Sequence, residues 1–372
     1  MKTSYNEACA RDCSTLEKDL ALCEKAGFDY IEIRLDLLRG WLKDHTVEQL
    51  KEFFETHRLK PHAINAVYLH HGMLPDETPD WDDPAMQDFK LACEVGSAIG
   101  SGYVIIVPPL DPSGVFTGDA AAAEQECIRI LKKLSALARP YGMKLCFELV
   151  GLRKSCVRSI EAADHIVRAV DEDNAGFVFD SYNIHLNGHC NDFSAIKNVQ
   201  SEKIFAVHLM SADDVPESEM GQDKRCFAGT GVVDTDSFLQ TLKCCGYDGM
   251  VSVETFRPEY WAKTLSGSSR TPIVRPMPHW KRTSACKLKR STLCHLYICN
   301  HADRRDHHPD RSDPEIQDAP GHGAVPYRHL LRSGLRQDPC RHLCCHYQIL
   351  RLDLRLHWCY DYFWCSHCIG HQ

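Results

Sequence analysis

"AEQECIRILKKLSALARPYGMKLCFELV", residues Ala123 to Val150, holds the alternation on which the fold turns. Ile128, Leu131, Leu134 and Leu137 recur at the spacing of one helical face, and Gly142 then supplies the left-handed position that ends many helices. The run "KLCFELV", Lys144 to Val150, is apolar on both faces until Glu148 interrupts it. A helix, a glycine and a doubly buried strand in that order form part of a parallel βα repeat.

The same text recurs along residues 1–264. Strands are expected at "KTSYN" from Lys2, at Tyr30–Leu35, Pro61–Tyr68, Tyr103–Pro109, Lys144–Val150, Ala175–Asp180, Lys203–Met210 and Met250–Phe256. Between them lie amphipathic stretches such as "STLEKDLALCEKAGF", whose Leu16, Leu20 and Cys23 share a face. Gly27, Gly142 and Gly246 follow these stretches and are expected to adopt positive φ. Eight strands with intervening helices predict an α/β (β/α)8 TIM barrel. An open doubly wound sheet would carry a Gly-rich phosphate turn after its first strand, and that turn is missing.

Composition divides the chain near residue 265. Residues 1–264 hold 27 Lys and Arg against 42 Asp and Glu, whereas Leu265 to Gln372 hold 16 against 9. That last stretch also holds nine of the 20 cysteines and 12 of the 21 histidines. One domain, a barrel over 1–264, is therefore expected, followed by an atypical Arg/His/Cys/Pro-rich tail over 265–372 that reads as disordered or frame-shifted text. The acidity of the first part argues against nucleic acid or an anionic membrane surface as partner. The N-terminus lacks an apolar signal region, and runs such as "YVIIV" are too short to span a bilayer. A soluble, cytoplasmic protein is expected, with cysteines that are reduced rather than paired. A homo-oligomer is left open.

Barrel enzymes carry their chemistry at the C-terminal ends of the strands. Four consecutive expected strands end there in a residue able to bind metal: Glu148, Asp180, His208 and Glu254. One acid inside apolar strand text is more often a salt-bridge partner than a ligand. Four at equivalent positions of adjacent strands converge on the barrel axis. Three carboxylates and an imidazole suit one divalent ion, Mn²⁺, Mg²⁺, Co²⁺ or Zn²⁺, with open positions for substrate.

At these residues the chain also resembles a family. "NEAC" at Asn6, "LEKDLALCEKAGFDYIEIR" at Leu16, "FFETHRLKPHAINAV" at Phe53, "PYGMKLCFELVG" at Pro140, "FDSYNIH" at Phe179 and "GYDGMVSVETFRPEYW" at Gly246 are similar to the inosose isomerase (2-keto-myo-inositol isomerase) group of the xylose isomerase-like sugar isomerases and epimerases. The likeness runs from about Lys2 to Trp261. It implies metal ligands at Glu148, Asp180, His208 and Glu254, with Glu148 and Glu254 also the catalytic acid/base pair. The implied reaction moves a carbonyl between adjacent carbons of a keto-inositol through an enediolate. Within the same fold, a ketose 3-epimerase or a 3-dehydroshikimate dehydratase is the alternative. Outside catalysis, the alternative is a metal- or sugar-binding remnant. The implied partner is a small polyol or keto-sugar.

One departure concerns substrate. Where the family commonly has His three residues after the sixth-strand Asp, this chain has Asn183, and the nearest imidazole is His185. His62, His185 and Arg257 are the substrate-binding candidates. The plainer alternatives are a hydrogen-bonded histidine and, for Arg257 and Arg34 alike, a salt bridge. His70 and His71 read as solvated loop residues, Asp213 and Asp214 as an acidic loop that could back the ligands, and Tyr260 and Trp261 as packing. In "FAGTGVVD", Ala228 stands where the family usually has Pro, a small change.

After "RPEYW" the family continues into a last amphipathic helix that closes the barrel. The text from residue 262 onward, "AKTLSGSSRTPIVRPMPHWKRT", holds no sustained helical period. Its density of Arg, His, Cys and Pro is that of a coding sequence read out of frame, so the barrel is expected to lack a normal final helix. The rival is an appended zinc module, for which Cys365 and Cys368 supply one C-x-x-C pair.

Overall fold

The computed structural model describes residues 1–75 and 78–265, with side chains to residue 261. In chain order the strands are β1 (Lys2–Asn6), β2 (Tyr30–Arg34), β3 (Lys60–Tyr68), β4 (Tyr103–Val107), β5 (Lys144–Glu148), β6 (Ala175–Asp180), β7 (Ile204–His208), the short β8 (Ser211–Ala212) and β9 (Arg225–Cys226), and β10 (Met250–Val253). The helices are α1 (Leu16–Ala26), α2 (Leu35–Trp41), α3 (Val47–Thr56), α4 (Pro84–Ile99), α5 (Ala120–Ala138), α6 (Ile160–Val170), α7 (Ser181–Leu186), α8 (Thr235–Cys244) and α9 (Pro258–Leu265). Eight parallel strands close in the order β1-β10-β7-β6-β5-β4-β3-β2, while β8 and β9 pair antiparallel outside that ring. The expected (β/α)8 barrel is the observed fold.

The strands are shorter than the apolar runs that announce them, because pairing stops where the chain turns into the loops of the C-terminal face. β5 ends at Glu148 and β10 at Val253, so the ligand candidates stand at or just beyond the last paired residue. Ile31, Ile33, Ile64, Ile105, Leu145, Phe147, Phe177 and Val207 are buried along the strands. Helix residues pack onto them: Leu16, Leu20 and Cys23 of α1, and Ile128, Leu131 and Leu134 of α5. Each such side chain contributes about 1.5–3 kcal/mol by leaving water. Thr15, Asp83, Ser159 and Asp234 cap α1, α4, α6 and α8 through side-chain oxygens. Gly27, Gly142 and Gly246 have φ of 85°, 68° and 83°, as the sequence leads one to expect.

At the end of the barrel, β10 is followed by the eight residues of α9, which opens with Pro258 and carries Glu259 in its first turn, both favourable at a helix start. The Trp261 indole donates to the Ala8 carbonyl at 3.2 Å, tying α9 to the turn after β1. The expected irregular tail, its out-of-frame origin and the Cys365/Cys368 zinc alternative concern residues beyond 265 and lie outside the described residues. Among the described residues, no helix is long and apolar enough to cross a membrane.

Candidate metal and active site

Register brings the four ligand candidates to one level. Asp180 and His208 are direct partners across β6 and β7, and Ser252 of β10 partners His208 from the other side. Glu148, Asp180, His208 and Glu254 are all buried, at 6%, 0%, 0% and 3% exposure, and each offers a ligand atom within 4.8 Å of the others. Three carboxylates held this close in a dry site repel one another strongly. The fold tolerates the arrangement only if positive charge joins them.

Part of that charge is Arg225, which sequence reasoning missed. The β8–β9 ribbon carries its guanidinium over the strand ends, where Nη1 lies 2.6 Å from Asp180 Oδ2 and 3.3 Å from Glu254 Oε2. The group is 1% exposed and packs over the rings of Tyr182 and Phe256. Burial alone would lower its proton affinity, but Asp180, Glu254 and Glu148 raise it, so it stays charged.

Around the ligands runs a shell of polar partners. Glu32 of β2 lies 3.0 Å from His208 Nε2, and the Asn6 amide donates to Glu32 at 2.7 Å and to Glu254 at 3.0 Å. Asn65 donates to the same Glu254 oxygen at 3.2 Å. Asn183 donates to Glu148 at 2.8 Å and accepts from the Gly151 amide at 3.2 Å. Gly151 is required at that contact, because a Cβ there would sit 2.1 Å from the Asn183 carbonyl oxygen.

His208 Nδ1 faces the other three ligands, 3.3 Å from Glu254 and 3.9 Å from both Glu148 and Asp180, yet it makes no well-directed hydrogen bond. A buried ring nitrogen without a directed partner, aimed at three carboxylates, fits a divalent metal ion. Electrostatics separate the two glutamates. Burial, reinforced by Glu254, pushes the Glu148 carboxyl up to about 8. Burial would raise Glu254 as well, but His208, Arg225 and Arg34 overcome it and hold the group at about 2. For His208 itself, Glu32 and Glu254 overcome burial and raise the imidazole well above its usual value.

The three substrate-binding candidates do not join the cluster. His62 is buried in the barrel interior, stacked on Tyr103 with ring centroids 4.7 Å apart and edge-on to Tyr30. Both tyrosines open their strands, so His62 lies a layer below the ligands. His185 is turned toward the next loop, with Nδ1 3.0 Å from the Cys190 carbonyl oxygen. Arg257 pairs with Asp213 at 2.8 Å and Arg34 with Asp36 at 2.9 Å, the salt bridges that were the plainer alternative. Asp213 is thereby engaged away from the ligands. His70 is half exposed and meets Asp83 at 2.8 Å, while Tyr260 stacks on Phe227.

Comparison with known proteins agrees with this geometry. The model of the xylose isomerase-like TIM barrel family matches residues 20–272. An inosose isomerase of Bacillus velezensis is 37% identical over 73% of this chain and 94% of its own length. One of Bacillus licheniformis is 38% identical over 73% of this chain and 95% of its own. A crystal structure of the IOLI protein with a bound zinc atom superposes with a TM-score of 0.64 at 36% identity, covering 70% of this chain and 91% of the other. Fold and sequence agree, and the chain belongs to the xylose isomerase-like TIM barrel family, alongside its inosose isomerases.

Proposed function

We propose that the protein is a divalent-metal-dependent isomerase that moves a carbonyl between adjacent carbons of a keto-inositol. The observation that carries this reading is the buried Glu148–Asp180–His208–Glu254 set, whose two glutamates come from strands separated by two others in the ring. A divalent ion held by these residues would polarise a carbonyl and acidify the neighbouring C–H. Glu148 and Glu254 then flank the substrate from opposite sides. One takes a proton from the hydroxyl-bearing carbon beside the carbonyl, the other delivers a proton to the former carbonyl carbon, and the hydroxyl proton passes to the old carbonyl oxygen. Asn183 fixes Glu148, while Asn6 and Asn65 fix Glu254, so both carboxylates are oriented before substrate arrives. Arg225 keeps the site from accumulating uncompensated negative charge as the enediolate forms.

The similarity to inosose isomerases over nearly their whole length favours a keto-inositol over a ketose or a keto-acid. The zinc of the IOLI structure supports zinc among the candidate ions, and the oxygen-rich set equally suits Mn²⁺, Mg²⁺ or Co²⁺. The free thiols of Cys23, Cys93 and Cys146, buried in the barrel, fit a reducing cytoplasmic setting. The test is NMR of 2-keto-myo-inositol in D₂O with the protein and Mn²⁺, beside a chelated control. A new keto-inositol deuterated at the former carbonyl carbon, absent with chelator, is the expected result. An unchanged substrate with metal-loaded protein refutes the assignment.

A further inference from the structure

We propose that Glu32 is a positioning residue that selects Nδ1 of His208 as the metal-binding nitrogen. It lies on β2, across the barrel from the four ligand strands, and nothing in the ligand pattern points to it. Its carboxylate is fully buried and approaches one ring nitrogen only: Oε2 is 3.0 Å and Oε1 3.2 Å from His208 Nε2. The other nitrogen, Nδ1, is the one that faces Glu148, Asp180 and Glu254.

A neutral imidazole carries one proton and one free lone pair, and the group opposite each nitrogen decides which is which. Glu32 only accepts, so it draws the proton to Nε2 and leaves the Nδ1 lone pair for the ion. Asn6 makes the choice firm. Its amide donates to Glu32 Oε2 at 2.7 Å and to Glu254 Oε1 at 3.0 Å, so one side chain on β1 fixes both the orienting carboxylate and a ligand. A glutamine at position 32 would have a single acceptor oxygen for two donors, Asn6 and His208. If its amide nitrogen faced Nε2, the proton would move to Nδ1 and block the ion.

This inference rests on the metal-site part of the proposed function and is read by metal binding, not by turnover. Zn²⁺ affinity is measured by competition with a chromogenic chelator for the full chain, Glu32→Gln and Glu32→Asp, each checked for folding by circular dichroism. The expected result is a loss of about 10–100-fold in affinity for Glu32→Gln. Glu32→Asp, which keeps both acceptors on a shorter arm, should lose less. ¹⁵N–¹H correlation spectra of the zinc-loaded wild type should show a histidine protonated at Nε2 that is missing from His208→Gln. A residue that merely fills space would give the reverse order, with the near-isosteric glutamine neutral and the shorter aspartate harmful, and that order overturns the proposal. A wild-type chain that binds no Zn²⁺ overturns the metal site itself.

Discussion

Replacing Arg225 by Met keeps the volume of the side chain over Tyr182 and Phe256 while removing its charge from between Asp180 and Glu254. Both carboxylates are at least 96% buried, so the loss is not screened by water. Breaking a buried ion pair on one side costs about 3–5 kcal/mol, because the remaining charge stays unpaired. For a barrel of this size each kcal/mol shifts Tm by about 2–4 °C, so a fall on the order of 6–20 °C is expected in the presence of EDTA. Saturating Zn²⁺ should shrink the difference between variant and wild type, since a dication supplies the charge that the variant lacks. The assay is thermal unfolding by circular dichroism, with and without metal. A loss below about 1 kcal/mol in EDTA, the range of an exposed pair, would refute the view that Arg225 is the internal counter-ion of the cluster.

His62 predicts a pH effect of defined sign. Burial lowers its proton affinity to about 4, whereas in the unfolded chain it titrates near 6.5. Between those values the unfolded chain binds the proton and the folded chain does not, so stability falls as pH drops from about 6.5 to 4, by about 3 kcal/mol in total. Urea midpoints at pH 7.5 and 4.5 should show a smaller drop for His62→Phe than for wild type, and equal drops would contradict the assignment. Gly151→Ala should destabilise by about 1–3 kcal/mol through overpacking against the Asn183 carbonyl. It should also reduce turnover by releasing Glu148, and an unchanged Tm in thermal scans would sink it.

The barrel was legible because a parallel strand covered on both faces must be written almost entirely in apolar residues. That requirement makes each polar interruption informative, and it is why Glu148, Asp180, His208 and Glu254 stood out. The same signal is present at Glu32 in "YIEIRL" and at Asn6, but these lie on β2 and β1, outside the four consecutive strands that end in metal-binding residue types. At His62 the signal was present and misleading. Barrel strands are staggered, so depth cannot be counted along one strand; it is set by the neighbours, and those of His62 are the opening residues Tyr30 and Tyr103. Arg225 had no periodic signal, since it reaches the cluster on a two-residue strand closing the excursion from Ala212.

Asn183 and His185 show most clearly what sequence alone withheld. An imidazole two residues from the family position invites the idea of a substitute, and a one-dimensional alignment offers no objection. The helix does. Both lie on α7, where two steps rotate the side chain by about 200° around the axis. Asn183 therefore faces Glu148 and Gly151, while His185 faces the Cys190 carbonyl on the far side. A small backward shift of the ring cannot be absorbed on a helix as it could in a loop. The amide at residue 183 thus braces Glu148, and a substitution there acts through the orientation of that carboxylate.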